Sequence, residues 1–173
     1  MREQATTTQT TARRYTVDQL AGMSVTELED IYREGTLFDM SALDGAPPGR
    51  MLTIVGALGW QGMRRRVAAF ARSSVFPWGG KSFHSFSTTT GRGINRVALL
   101  GEKFPFDTRI EASAIDGKDC IFLDYDKPTN PWFIRAIRDE LREVSPGLFL
   151  GPAMWAPRGA TPKLVLWFAI DHT

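Results

Sequence analysis

The chain is short of the residues from which ready-made sites are built. It holds one cysteine, Cys120, in 173 residues, which excludes a disulfide framework and a cysteine-based zinc site. Its two histidines, His84 and His172, lie far apart, and the acids cluster in turns, so no metal-ligand spacing emerges. Charge is nearly balanced, with 21 basic and 19 acidic residues and a net charge of +2. No strong field is available to gather nucleic acid or an anionic membrane. The longest apolar run, Leu164 to Ile170, falls far short of the roughly 20 residues that span a bilayer. There is no G-x-S-x-G elbow for a serine nucleophile. The stretch GRGIN offers only G-x-G outside any βαβ pattern, so it is not a nucleotide loop. The aromatics do not interleave with basic residues, which argues against a base-stacking platform. No cofactor and no metal are expected.

What is present suits a folded domain. Hydrophobic residues make up 43% of the chain, enough for a core, and the length fits one domain. The opening MREQATTTQTTARRY is polar and Thr-rich, without the apolar segment of a secretory signal. Residues 1–22 therefore read as a disordered tail and residues 23–173 as one domain, in a cytoplasmic protein. MSVTELEDIYREG predicts a helix with a Ser24–Glu27 capping box and Gly35 as its stop. RMLTIVG predicts a strand, and WQGMRRRVAAFARSS a helix. Four strands follow, on KSFHSFS, INRVALL, TRIEASAI and DCIFLDY, the last two joined by an Asp116-Gly117 turn. Asn130 and Pro131 read as the cap and first turn of a helix carrying Phe133 or Ile134, Ile137, Leu141 and Val144 on one stripe, ended by Pro146-Gly147. GLFLGPAMW and KLVLWFAIDH supply the last strands. The fold class expected is mainly β with α: a single antiparallel barrel of about seven or eight strands, with N-terminal helices and one capping helix.

In such a barrel alternate residues face inward. On TRIEASAI, Arg109 and Glu111 share a face, which is either a solvated outer surface or a charge pair orienting a polar ligand group inside. On DCIFLDYD, Cys120, Phe122 and Asp124 oppose Ile121, Leu123 and Tyr125. Asp126 reads as turn chemistry, whereas Asp124 sits one step inside the strand end. The last strand is apolar on both faces, so either a helix covers it or it lines an apolar chamber. His84, if inward, is a general acid or base because its pKa lies near neutrality. Lys81, after a Gly-Gly turn, is otherwise a plain strand-end lysine, or a cation for a carboxylate, enolate or phosphate. Cys120 reads as a small core residue. The candidate catalytic residues are His84, Lys81 and Asp124. The candidate ligand-binding residues are Arg109, Glu111, Phe122, Trp78, Trp155, Trp167 and Phe168.

The stretches LDGAPPGRML, PWGGKSFHS, GRGINRV, SAIDGKDCIFLDYDKPTNPWFIRAIRDELREVSPGLFLG and LVLWFAID resemble a group of small, uncharacterised actinobacterial-type proteins with lipocalin-like (calycin-type) barrels. The order of elements also partly resembles the domain-of-unknown-function group with a GXWXG module, although that signature itself is absent. The resemblance implies an internal pocket for an apolar small molecule. It also implies, by analogy of fold, cofactor-independent cyclisation or isomerisation in natural-product (secondary) metabolism. An intracellular carrier of a hydrophobic metabolite is the alternative, and a side-chain-filled interaction domain the third reading. The partners expected are an apolar substrate or ligand, with room for a homodimer. Neither nucleic acid nor a membrane span is expected.

Overall fold

A computed structural model describes residues 15–55, 78–97 and 99–172. Eight strands form one antiparallel sheet: β1 (Gly49–Ile54), β2 (Trp78–Ser85), β3 (Thr90–Val97), β4 (Gly101–Ala112), β5 (Asp119–Asp124), β6 (Ile137–Ser145), β7 (Leu148–Trp155) and β8 (Lys163–Asp171). From β2 to β8 each strand pairs with the next, and β1 adds to the far side of β8. The sheet curls into a half-barrel whose edges are β1 and β2. These edges approach without a ladder. Gly80, at φ +113°, lies so close that a Cβ there would stand 2.5 Å from the Pro47 carbonyl oxygen. Only glycine adopts that φ without strain and leaves that space. Arg96 fastens the seam by donating from Nη2 to the carbonyls of Ala46, Pro47 and Gly79.

The described helices are short: α1 (Val17–Ala21), α2 (Val25–Glu34) and α3 (Trp132–Arg135), with a 3₁₀ turn at Met40–Leu43. Among the described residues, no helix is long and apolar enough to cross a membrane. The Ser24–Glu27 capping box forms as the sequence predicts, and Gly35 ends α2. A second capping box, Thr16 with Gln19, starts α1 inside the stretch assigned to the tail, and Leu20 is buried there. The ordered chain therefore reaches back beyond residue 22. The helix expected on WQGMRRRVAAFARSS lies outside the described residues.

One expectation is overturned. The segment after Asn130 yields only the single turn of α3, and the rest is strand β6. Pro131 takes the cap position without a side-chain bond, while Asn130 donates to the carbonyls of Pro105 and Tyr125. Ile137 and Leu141 satisfy both a helical stripe and a strand alternation. The charged residues between them decide. A helix would have exposed them, whereas the strand gives each a partner: Asp139 inward to Lys81, Arg138 outward to Glu111 and Glu140, Arg142 outward to Asp116. With β5 and β7 on either side, β6 also satisfies its backbone groups in two ladders.

Two apolar layers result. Inside the half-barrel lie Phe83, Phe106, Ile121, Leu123, Leu141, Phe149, Phe168 and Ile170. Phe38, Met40 and Leu43 belong to this layer, and the Met40 N–H donates to Thr88 in the β2–β3 turn, which closes that end. Outside, Leu20, Leu28, Ile31 and Tyr32 of the helices pack on Leu148, Leu150, Trp167 and Ala169. Each buried Leu, Ile or Phe side chain among them contributes about 1.5–3 kcal/mol. This is why β8 is apolar on both faces: Trp167 lies under α2, 5.5 Å from the Tyr32 ring, and Phe168 points into the half-barrel.

Beneath α2 sits a closed polar cluster. Glu140 is fully buried and accepts four bonds, from Tyr32 Oη (2.8 Å), Ser113 Oγ (2.6 Å), the Ala114 N–H (2.9 Å) and Arg138 Nε (2.7 Å). Its lone pairs are satisfied, so it reads as a structural acid. Tyr32→Phe is expected to lower unfolding free energy by about 1–2 kcal/mol, measured by urea denaturation. Nearby, Arg142 holds Asp116 in a bidentate pair at 2.7 and 2.8 Å. These bonds pull the Asp116 carboxyl below the usual carboxylate range, against the opposing effect of burial. Its stabilisation is therefore present above about pH 4 and is lost as pH falls through the depressed folded pKa. Asp116→Asn is expected to flatten this part of the acid limb. An acid limb that keeps its wild-type slope in the variant would show that Asp116 contributes nothing to it.

Candidate functional site

The strand alternation that places Phe83 in the core also turns Lys81 inward. Lys81 pairs in register with Asn95 on β3. At Asn95 the β3–β4 register shifts, and opposite it Phe104 adopts φ 60°, a left-handed conformation unusual for a non-glycine residue. The Phe104 carbonyl then accepts from Asn95 Nδ2 at 3.3 Å. Tyr125 follows β5 on the face of Ile121 and Leu123. Asp139 lies opposite Leu123 on β6. Strands β2, β3 and β6 and the residue that follows β5 thus bring four polar side chains to one place, away from the end closed by Met40.

Lys81 is 3% exposed and Asp139 4%. Lys81 Nζ donates to Tyr125 Oη (2.6 Å), Asn95 Oδ1 (2.8 Å) and Asp139 Oδ2 (2.9 Å), which uses all three ammonium hydrogens. Tyr125 Oη donates to Asp139 Oδ2 at 2.9 Å and accepts from Asn95 Nδ2 at 3.1 Å. Trp78 Nε1 donates to Asn95 Oδ1 at 3.1 Å. The indole N–H can only donate and the Phe104 carbonyl can only accept, so together they fix which end of the Asn95 amide faces Lys81. Around Nζ stand the rings of Trp78, Phe106, Tyr125 and Phe168, with centroids 5.2–5.3 Å away. Their faces favour a cation that water cannot reach.

One atom stands apart. Asp139 Oδ1 is buried and has no partner, and a bare buried acceptor carries the full cost of its desolvation. Burial lowers the Lys81 ammonium below the ordinary lysine range, with Asp139 opposing that shift. Burial, and next the Asp139 charge, hold the Tyr125 hydroxyl well above the usual phenol value. Lys81 and Tyr125 both donate to Asp139 Oδ2, and Lys81 also donates to Tyr125 Oη, so the three groups form one directly hydrogen-bonded network. The surrounding rim is apolar and half-buried: Trp78, Phe104, Phe133, Ile137 and Leu166 pack against the core at this level.

Of the candidate residues read from sequence, the structure brings Lys81, Trp78 and Phe168 together. Trp155, opposite Ile137 on β7, lies at the same end with its ring 6.4 Å from that of Trp132. The others lie elsewhere. His84 is on the outer face of β2, exposed, with its ring edge-on to Phe86. Asp124 is ion-paired to Arg109 at 2.7 Å on the outer face, where Arg109 also meets Glu111. Their carboxyl and guanidinium groups stabilise one another, and the pair holds the Asp124 carboxyl low against its partial burial. Phe122 is held there between the guanidiniums of Arg109 and Arg138, at 4.5 and 4.4 Å. Trp167 lies under α2. The face of Cys120, Phe122 and Asp124 is therefore the outside, and Cys120 is a buried free thiol pushed up to about 12 by burial and the nearby Glu140 charge. Asp126 pairs with Arg135 of α3, and the turn bond at this strand end is made by Asp124, whose Oδ1 accepts from the Asp126 N–H. Sequence reading missed Tyr125, Asn95 and Asp139. Tyr125 was legible as the next inward position after Leu123, whereas Asp139 was hidden by the helical reading of its segment. Among the described residues no group of three or more His, Cys, Asp or Glu side chains is placed to hold a metal ion.

No family model matches the chain, and no curated protein does. Among solved structures, the crystal structure of a protein from Thermomonospora curvata aligns with 87% of this chain and 88% of its own, at 17% identity and a TM-score of 0.48.

Proposed function

We propose that the protein takes an apolar small molecule into a lipocalin-like half-barrel and catalyses a cofactor-independent isomerisation or cyclisation of it, by proton transfer at Lys81 and Tyr125. The observation that carries this reading is a lysine buried among four aromatic rings with a tyrosine and a carboxylate in direct hydrogen-bond reach. A shape-holding apolar wall supplies a near-attack conformer, and the polar cluster supplies the proton donor and acceptor. The half-buried rim of Trp78, Phe104, Phe133, Ile137 and Leu166 favours an apolar visitor over a charged one. Natural-product metabolism is the setting in which such a substrate is ordinary. The alternative is a carrier that binds the same molecule without turnover, which the filled hydrogen bonds of Lys81 favour.

The test is hydrogen–deuterium exchange at the acidic carbon of 2-tetralone, an apolar enolisable ketone, followed by NMR. Wild-type protein is expected to accelerate the exchange, and Tyr125→Phe to reduce that acceleration by about 10²-fold. Binding of 2-tetralone in native mass spectrometry with exchange at the uncatalysed rate would favour the carrier. Neither binding nor exchange would defeat both readings.

A further inference from the structure

We infer that the site selects apolar molecules bearing a neutral O–H group, such as an alcohol, phenol or enol, which donates its hydrogen to Oδ1 of Asp139. This deepens the reading above and rests on it. Among the described residues, Asp139 Oδ1 is the single buried carboxylate oxygen without a partner. Every other polar atom of its cluster is used. Lys81 has spent three hydrogens, Tyr125 Oη donates once and accepts twice, and the Asn95 amide is bound at both ends. The cluster therefore has one acceptor without a donor, and only a hydrogen-bond donor can satisfy it.

The donor's charge follows from its neighbours. A ligand ammonium would sit beside the Lys81 ammonium, whose aromatic faces are already turned toward one cation, and like charges in a dry site repel strongly. A ligand carboxylate or ether brings no hydrogen and would set acceptor against acceptor. A neutral hydroxyl forms a charge-assisted O–H···O⁻ bond and removes the desolvation cost of Oδ1. The same hydroxyl, once bound, lies next to the oxygen that Lys81 and Tyr125 share, so its proton is within the network that would move it. A molecule identical in shape but lacking the hydrogen would leave Oδ1 bare, the situation in which a polar site rejects an analogue most sharply.

Paired probes test this. The affinity of 2-naphthol is measured against that of 2-methoxynaphthalene, and 1-octanol against octyl methyl ether, by fluorescence or calorimetric titration of the full chain. The hydroxyl member of each pair is expected to bind about tenfold to a hundredfold more tightly. Asp139→Asn is expected to collapse that ratio toward one. Since this variant also breaks the pair with Lys81, a second measurement uses wild-type protein alone: the 13Cγ resonance of Asp139 is expected to shift with 2-naphthol and not with 2-methoxynaphthalene. Equal affinity within both pairs, with an unmoved Asp139 resonance, would mean that water fills Oδ1, and it overturns this inference while leaving the apolar-ligand reading intact. Failure of all four probes to bind overturns both.

Discussion

Lys81→Met is expected to lower unfolding free energy by about 3–5 kcal/mol, the cost of leaving a buried carboxylate without its cation. Asp139 would keep only the Tyr125 hydroxyl as a donor to Oδ2, with Oδ1 already bare. The loss does not measure what the ion pair contributes, since most of it is the stranded charge. Removing the whole cluster separates the two quantities. The triple substitution Lys81→Met, Asp139→Leu, Tyr125→Phe puts apolar atoms where the rings of Trp78, Phe106 and Phe168 already stand, and it is expected to recover most of the loss or exceed wild type. That outcome would mark the cluster as retained for something other than stability. Alkaline pH offers an independent reading. Burial lowers the Lys81 pKa in the folded chain, so over the interval between that depressed value and the unfolded lysine value the unfolded chain binds more protons. Stability therefore gains from Lys81 as pH rises through that interval, and Lys81→Met abolishes the gain. A cost below about 1 kcal/mol for Lys81→Met in guanidinium titration would mean that water reaches Asp139, and the dry-site argument would fail with it.

The sheet was largely legible because its strands carry two independent signals. Asp116-Gly117 marks a hairpin turn, with Gly117 at φ 75°, and the runs on either side alternate. The two-sided apolar character of Leu164–Ile170 was also readable as a strand covered on its outer face, and α1 and α2 supply the cover. The inward direction of a strand was harder to read. On DCIFLDYD both faces contain apolar residues, and Asp124 with Phe122 looked as eligible as Tyr125 with Leu123. What decides is distant in sequence: Arg109 and Arg138 wait outside for Asp124 and Phe122, while Lys81 and Asp139 wait inside for Tyr125. Single-sequence periodicity cannot see such partners. The same blindness turned β6 into a helix, because Arg138, Asp139, Glu140 and Arg142 look like a solvated face until their partners are known. Lys81 was found because a lysine directly after two glycines, ahead of a strand-like run, stands out locally.

Gly151→Ala is expected to cost about 3 kcal/mol or more, for a reason that links the two polar clusters. β7 is a central strand, yet it contains Pro152, which cannot donate to a ladder and is unusual away from an edge. The β6–β7 register runs Asp139↔Ala153 and then Arg142↔Leu150, so the Gly151-Pro152 pair is skipped. Gly151 makes the gap tolerable by letting the β6 backbone settle into it: a Cβ there would overlap the Glu140 carbonyl oxygen and stand 3.0 Å from its carbonyl carbon. The obstacle is main chain, so no rotamer change relieves it. Displacing β6 at Glu140 moves the acid that accepts from Tyr32, Ser113, Ala114 and Arg138, and one residue away it moves Asp139 from Lys81 and Tyr125. Gly159→Ala is the control. Gly159 has φ +81° with nothing within 4 Å of a Cβ, so it carries only the backbone penalty of about 1 kcal/mol. If the two variants unfold at the same denaturant concentration, β6 is free to shift, and the β6–β7 crossing does not fix the Lys81–Asp139 geometry. If Gly151→Ala alone falls steeply, the close crossing of β6 and β7 is what holds both acids in register with their partners.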